Sequence, residues 1–234
     1  MSGNWEQYFE RKHDTINGKN IEYYAYKDKR VKILPANLPM PPTDTFQLMF
    51  RDCDQLQDIT ALANWNVSKV ENMSGMFYYC KQLESISALA KWNVSNVKNM
   101  ENMFGYCYQL QYISALSNWD VSKVKDMQYM FDSCHKLQGI SALSNWDISN
   151  VENMHHMFSG CTLLPHGLRC NALFYINTYI SKHKCDINQR ISALQEDNKA
   201  LQKENAELKT RLAYLEEKMN IIISQLNETV KWNL

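Results

Sequence analysis

Glycine and proline are scarce in this chain of 234 residues, which contains seven glycines and five prolines. So low a content excludes a collagen-like rod and a series of domains joined by flexible linkers. An excess of charge of one sign is also missing, because 25 basic side chains balance 25 acidic ones. A net charge of zero provides no general attraction to nucleic acid or to an anionic membrane, and we expect neither as a partner.

Export and membrane signals are lacking as well. No run approaches the roughly 18 apolar residues that a transmembrane helix requires, and residues 1–6 are not a basic region leading into an apolar one. We therefore expect no membrane insertion and an intracellular, cytoplasmic location. A cell or virion surface reached by another route is the alternative.

Motifs of catalysis are absent too. The sequence has no glycine-rich phosphate loop, no nucleophile elbow and no H-E-x-x-H, so we expect no enzymatic activity and no cofactor. Five ligand-capable residues occur near one another at Cys161, His166, Cys170, His183 and Cys185. Their spacing matches no standard zinc pattern, and we expect no metal.

The middle of the chain repeats itself every 27 residues. Tryptophans, cysteines and Met-Phe pairs recur with this period, at Trp65, Trp92, Trp119 and Trp146, at Cys53, Cys80, Cys107, Cys134 and Cys161, and at 49–50, 76–77, 103–104, 130–131 and 157–158. The unit reads C-x-x-L-x-x-I-[ST]-A-L-x-x-W-[ND]-[VI]-S-x-V-x-x-M-x-x-M-F-x-x, with four complete copies from Cys53 to Gly160. Such units bury their apolar sides against one another, and we expect the tryptophans and cysteines to be buried.

Each unit is predicted to combine one helix with one extended segment. Ser68 and its equivalents precede apolar residues at helical spacing, and serine is a favoured helix N-cap. Glu71 and Glu152 would complete capping boxes. The first half of the unit, such as residues 110–113, is too short for a helix and predicts an extended segment. The fold class expected is therefore an α/β repeat solenoid.

The sequence divides into four predicted segments. Residues 1–48 form an N-terminal cap, with a helical patch at 5–11 and a hairpin whose strands are 21–26 and 31–34. The repeat solenoid follows at 49–164, a helical C-terminal cap at 165–186, and a coiled coil at 187–228.

The coiled coil is predicted from heptads that contain no glycine or proline. Its a and d positions are Ile187, Ile191, Leu194, Asn198, Leu201, Asn205, Leu208, Leu212, Leu215, Met219, Ile222 and Leu226. Asparagine at a is costly unless it meets its counterpart, so Asn198 and Asn205 favour a parallel homodimer. A trimer is the competing arrangement, because isoleucine at d relaxes the preference, and pairing with a similar tail is also open.

Aromatic side chains vary between the repeats at positions that the core does not fix. Tyrosine is enriched at recognition surfaces, and we predict a protein-binding edge formed by Tyr78, Tyr79, Tyr106, Tyr108, Tyr112, Tyr129 and His135. Scattered surface residues or contacts with the caps are the competing interpretation.

The W-[ND]-V-S-x-V-x-x-M-x-x-M-F core of the unit resembles the bacterial surface-protein repeat of the BspA-like leucine-rich-repeat group, over residues 46–164. The resemblance implies a leucine-rich-repeat-like solenoid that binds other macromolecules, often in adhesion. We accordingly expect a non-enzymatic recognition protein, displayed in two or more copies by its coiled coil, that binds a protein ligand still to be identified. A structural or assembly protein of a larger particle or surface array is the alternative.

Overall fold

The computed structural model describes residues 4–16, 18–170 and 172–231, with side chains at 4–15, 18–169, 190–221 and 223. The chain divides into two compact units, Met1–Lys182 and His183–Leu234. Among the described residues, no helix is both long enough and apolar enough to span a bilayer.

An antiparallel hairpin opens the first unit. Strand β1 (Phe9–Ile16) pairs with strand β2 (Lys19–Tyr26), with Phe9 opposite Tyr26. The predicted hairpin of residues 21–26 and 31–34 is therefore wrong, because its first strand pairs with residues before it rather than after it. The helical patch predicted at 5–11 is limited to a 3-10 turn at Trp5–Gln7.

The hairpin covers the first repeat. Phe9 is buried, and its ring centroid lies 6.0 Å from that of Phe50. The amide of Tyr26 donates a hydrogen bond to the carbonyl of Met49 at 2.7 Å. Apolar side chains at the edge of the repeats are thereby shielded from water.

The α/β, leucine-rich-repeat-like solenoid predicted for residues 49–164 is wrong. Within that range the structure contains no α-helix and no strand, and the only strands of the described chain are β1 and β2. Regular structure there consists of isolated parallel bridges and of four short 3-10 helices at Thr60–Asn64, Ser87–Lys91, Ser114–Leu116 and Ser141–Leu143. These 3-10 helices lie in the first half of the unit, where an extended segment was expected.

The predicted helix in the second half is replaced by a turn that a side chain closes. The Oδ1 atom of Asn66 accepts hydrogen bonds from the amide of Ser68 at 3.2 Å and from its hydroxyl at 2.7 Å. This local bond competes with helix formation and takes the place of an N-cap. The predicted capping boxes are absent as well, since the carboxylate of Glu71 pairs with Lys98 at 2.8 Å and that of Glu152 with Lys125 at the same distance.

Backbone amides in residues 73–80 alternate between two kinds of acceptor. Every second amide donates to the next unit, as Phe77 does to the carbonyl of Met103 at 2.9 Å. The amides between them close short turns with a residue two or three positions earlier, as Cys80 does to the carbonyl of Phe77 at 3.0 Å. Left-handed residues such as Tyr79, with φ +64°, reverse the chain between turns. Buried amides are thus satisfied without a continuous strand.

The predicted burial of the four tryptophans is confirmed. Each indole N–H donates to a leucine carbonyl of the preceding segment, as from Trp119 to Leu89 at 3.1 Å. Beside this column, phenylalanine rings stack in parallel with centroids 5.6 Å apart, at residues Phe50, Phe77, Phe104, Phe131 and Phe158. Neighbouring units therefore share one continuous apolar interior.

The predicted burial of the repeat cysteines is also confirmed, and all five thiols are free. The thiol of each later member donates to the carbonyl of the phenylalanine 30 residues earlier, at 3.0–3.3 Å. Burial raises the pKa of Cys53 and of Cys161 to about 12. It raises the pKa of Cys80, Cys107 and Cys134 well above the ordinary value as well.

Alkylation of the native protein should therefore be slow at these five cysteines. The thiolate is the nucleophile, and both burial and the raised pKa keep the group protonated at pH 8. We expect iodoacetamide to label them at least about ten-fold more slowly in the folded chain than in urea. Peptide mass spectrometry measures each site separately, and equal rates in the two conditions would contradict the structure.

The last described residues form two α-helices, α1 (His166–Cys170) and α2 (Ala172–Lys231). At 1.5 Å per residue, α2 is about 90 Å long. The predicted coiled-coil residues 187–228 lie within α2. Of the predicted seam, the side chains of Ile187, Ile222 and Leu226 lie outside the described residues.

Candidate functional site

Residues on either side of each buried cysteine lie partly or fully at the surface. Because the repeat unit has a constant length, side chains at these positions in one unit are brought against their equivalents in the next. Aromatic residues occupy several of them and form a continuous surface cluster. We call this cluster the aromatic strip; its members are Tyr78, Tyr79, Tyr106, Tyr108 and His135.

The rings of the aromatic strip contact one another in sequence. Tyr79 and Tyr106 stack in parallel with centroids 4.4 Å apart, and the ring of Tyr78 lies perpendicular to both. Tyr108 stacks on His135 at 4.8 Å and approaches Tyr106 at 6.1 Å. Mutual contact holds the side chains in fixed positions, so little rotamer entropy remains to be lost when a ligand binds.

Two tyrosines of the strip adopt a backbone conformation that is rare for large side chains. The φ angles of Tyr79 and Tyr106 are +64° and +61°. The equivalent residues Asp52, Ser133 and Gly160 are left-handed too, so the repeat imposes this conformation whatever the side chain. Glycine fits it best, and a non-glycine residue costs about 1–2 kcal/mol there. Backbone geometry therefore does not explain the choice of tyrosine.

Charged groups surround the strip. The guanidinium of Arg51 lies 5.8 Å from the ring centroid of Tyr78, and the ammonium of Lys81 lies 5.7 Å from that of Tyr79. These distances suit cation–π attraction. Both cations occupy positions equivalent to aromatic residues of the neighbouring units, since Arg51 precedes Tyr78 by one period and Lys81 precedes Tyr108 by one period. The predicted binding edge did not include Arg51 and Lys81, although the 27-residue period puts them at positions equivalent to Tyr78 and Tyr108.

The hydroxyls of Tyr78 and Tyr106 have a raised pKa and stay protonated at neutral pH. Burial raises the pKa of Tyr78 to about 12. The negative charge of Asp132 is the main cause that raises the pKa of Tyr106. Asp132 is itself buried, and desolvation raises the pKa of its carboxyl above the ordinary value. The strip consequently offers apolar ring surface together with hydroxyl donors.

Two of the seven predicted binding residues lie apart from the strip. Tyr129 stacks on His156 at 5.1 Å, which forms a separate pair. Tyr112 is 61% exposed and lines a cavity that contains no residue of the strip. The other five predicted residues are together, although whether they bind a ligand stays a prediction.

The second unit carries an uncovered apolar stripe. Of its predicted seam residues, the large apolar ones whose side chains are described are all about half exposed or more, at Ile191, Leu194, Leu201, Leu208, Leu212, Leu215 and Met219. Asn198 and Asn205 lie on the same stripe and are exposed. An apolar stripe of this length in water is typical of an interaction surface.

No group of three or more histidine, cysteine or acidic side chains within the described residues is arranged to hold a metal ion. The side chains of Cys170, His183 and Cys185 lie outside those residues, so the expected lack of a metal stays a prediction.

A family described as "Mycoplasma protein of unknown function, DUF285" matches residues 44–171, which are more than half of the chain. No curated protein and no solved structure matches.

Proposed function

The chain belongs to the DUF285 family, and we propose that it is a non-enzymatic recognition protein that binds a protein ligand through the aromatic strip. The observation that carries this proposal is the contact between five surface aromatic side chains, two of them at left-handed backbone positions. Such tyrosines cost stability where glycine would not. A function of the rings at the surface accounts for their presence.

The chemistry of the strip suits a protein surface. Tyrosine and arginine dominate the binding energy of protein interfaces, because they combine apolar area with directed hydrogen bonds. The strip provides four tyrosines with Arg51 and Lys81 beside them. The resemblance of the repeat to the BspA-like surface group supports binding in adhesion, and both the ligand and the cellular location remain proposals.

We further propose that α2 forms a parallel two-stranded coiled coil with a second copy of the chain. In parallel register, Asn198 and Asn205 would each face the same residue of the partner helix, and their amides would pair. In the antiparallel arrangement the a residues face d residues, so each asparagine would face an apolar side chain and remain unpaired.

Charges beside the seam favour the same register. Lys209 follows Glu204 by five positions, and Glu216 follows Arg211 by five positions. That separation joins g and e positions across a parallel pair, and both contacts would be between opposite charges. Two linked copies of the strip would gain on the order of 100-fold in avidity when the ligand is displayed repeatedly.

Removal of the strip should abolish ligand capture and leave the fold intact. In the variant Tyr79→Gly/Tyr106→Gly/Tyr108→Ser, relief of the two left-handed positions offsets the lost stacking, which is worth about 0.5–1.5 kcal/mol per pair. We expect its melting temperature to stay within about 5 °C of the parent. The measurement is quantitative mass spectrometry of proteins retained from the native source by the full chain and by the variant.

The matched control is Tyr112→Ser, which removes an exposed tyrosine outside the strip. At least one protein should be retained by the parent chain and by the control but lost with the strip variant. Retention of the same proteins by all three, or unfolding of the strip variant, would count against the proposal.

An assembly protein is the second candidate, and one observation favours it. Tyr214 and Ile223 are exposed on α2 at heptad positions outside the predicted seam. Additional apolar contacts beside a coiled-coil seam suit larger assemblies. Sedimentation over a hundred-fold range of concentration separates the two candidates, because a fixed dimer favours recognition and continued growth favours assembly.

A further inference from the structure

A cavity at the first half of the repeat unit arises from one missing side chain. The position before the conserved isoleucine of the unit is Asp58, Ser85, Tyr112 and Gly139 in successive repeats. Glycine leaves a gap beside the exposed ring of Tyr112, and the cavity there measures about 520 Å³. Ligand pockets commonly measure about 300–1,000 Å³.

The lining of this cavity contains no charged side chain and combines apolar surface with polar groups. One aromatic ring, Tyr112, stands beside the hydroxyls of Ser114, Ser117 and Ser141 and the amide of Gln138, while Ile113, Gly139 and Ala142 complete the wall. Hydroxyl and amide groups both donate and accept hydrogen bonds. A charged ligand would find no partner of opposite sign among these residues.

We propose that this cavity binds a neutral oligosaccharide, with one sugar ring lying against the ring of Tyr112. The apolar C–H face of a sugar ring carries partial positive charge and matches the negative face of an aromatic ring. The hydroxyl groups of a sugar both donate and accept hydrogen bonds, as do the serine hydroxyls and the Gln138 amide that line the cavity. None of the lining residues belongs to the aromatic strip, so this site is separate from the proposed protein-binding surface.

The probes are cellotetraose, chitotetraose and maltotetraose, compared with tetragalacturonate and a tetraproline peptide. Saturation-transfer NMR on the full chain should detect at least one of the three neutral tetrasaccharides, with a dissociation constant on the order of 1 mM for a single open site. The acidic tetrasaccharide and the peptide should bind at least ten-fold more weakly.

Two variants test the site in different ways. Tyr112→Ser removes the aromatic ring, and Gly139→Tyr fills the gap. A Cβ atom at Gly139 would meet no atom within 4 Å, and its φ is not left-handed, so the larger side chain can be accepted without strain. Each variant should weaken binding at least ten-fold, while circular dichroism shows unchanged melting.

The control is Tyr79→Gly/Tyr106→Gly/Tyr108→Ser, which removes most of the aromatic strip and should leave sugar binding unchanged. Conversely, Gly139→Tyr should leave protein capture unchanged, so the two proposals can fail separately. The inference is overturned if none of the three neutral tetrasaccharides binds at 20 mM, if the peptide or the acidic sugar binds as well, or if both variants bind like the parent.

Discussion

Replacement of Trp119 by alanine is expected to lower the free energy of unfolding of the repeat region by about 3–5 kcal/mol. The side chain is 3% exposed, lies within the tryptophan column and is the largest side chain of its unit. Its removal also takes from the carbonyl of Leu89 one of two donors, the indole N–H at 3.1 Å, and leaves the amide of Trp92 as the other. Domains have about 5–15 kcal/mol of stability in total, so this loss is severe.

The variant Trp119→Phe separates the two contributions. It keeps much of the apolar contact but loses the indole N–H. The Leu89 carbonyl still accepts from the amide of Trp92 at 3.1 Å, so we expect the lost hydrogen bond to cost about 0.5–1.5 kcal/mol. Urea denaturation, followed by circular dichroism at several urea concentrations, gives both values. Tyr112→Ser is the surface control, expected to change stability by less than about 0.5 kcal/mol. A loss below about 1 kcal/mol for Trp119→Ala would contradict the burial seen in the structure.

The period of the sequence predicted burial well and local conformation poorly. Tryptophan and cysteine columns could be predicted because an apolar side chain repeated at fixed spacing must avoid water in every copy. Neither residue type determines how the chain between two columns is folded. The predicted helix and extended segment of each unit are accordingly both wrong, although the columns themselves are buried.

The spacing of the apolar residues in the repeat differs from that of an amphipathic helix. Apolar residues in the repeat recur at every third position, for example at Val67, Val70, Met73 and Met76. An amphipathic helix mixes spacings of three and four, because it has 3.6 residues per turn. Strict spacing of three suits successive short turns, each of which directs one side chain inward, and the i to i+3 hydrogen bonds of the structure have that pattern.

Asparagine and aspartate were a better guide to local structure. In the W-[ND]-[VI]-S segment, aspartate replaces asparagine at Asp120 and Asp147. Both residue types favour turns, because their side-chain oxygens accept hydrogen bonds from nearby backbone amides. The structure shows the same bond in these units, with a side-chain oxygen accepting from an amide two residues later. The terminal hairpin had a comparable signal in Asn17-Gly18, a pair favoured between paired strands.

The aromatic strip could be predicted only in part. Variation between repeats identified its tyrosines, because positions that the core does not fix are free to differ. The left-handed backbone at Tyr79 could not be inferred, since most equivalents of that residue are not glycine. Asp132 could not be inferred either, because the burial of a carboxyl group depends on packing that a single sequence does not show.

Introduction of two lysines into the seam of α2 should abolish association of the chain. In the variant Leu201→Lys/Leu208→Lys, each copy would place two charged groups at d positions that the proposed coiled coil buries. Loss of one buried leucine costs about 2–5 kcal/mol, and a buried charge adds to that cost. With two changes in each of two chains, we expect the dissociation constant to rise at least about 1,000-fold.

Light scattering measures the outcome directly. The parent chain should have about twice the 27.5 kDa mass of a single copy, whereas the variant should have the mass of one copy at micromolar concentration. The matched control Ala200→Lys/Ala206→Lys adds the same charge to α2 at positions outside the seam, and it should remain a dimer. Because a trimer would give three times the mass, the same measurement decides between the two competing coiled coils. A parent chain with the mass of one copy would refute the heptad assignment, because the a and d side chains would then not be buried between two copies. A control that dissociates like the seam variant would refute it too, because the loss would not depend on the a and d positions.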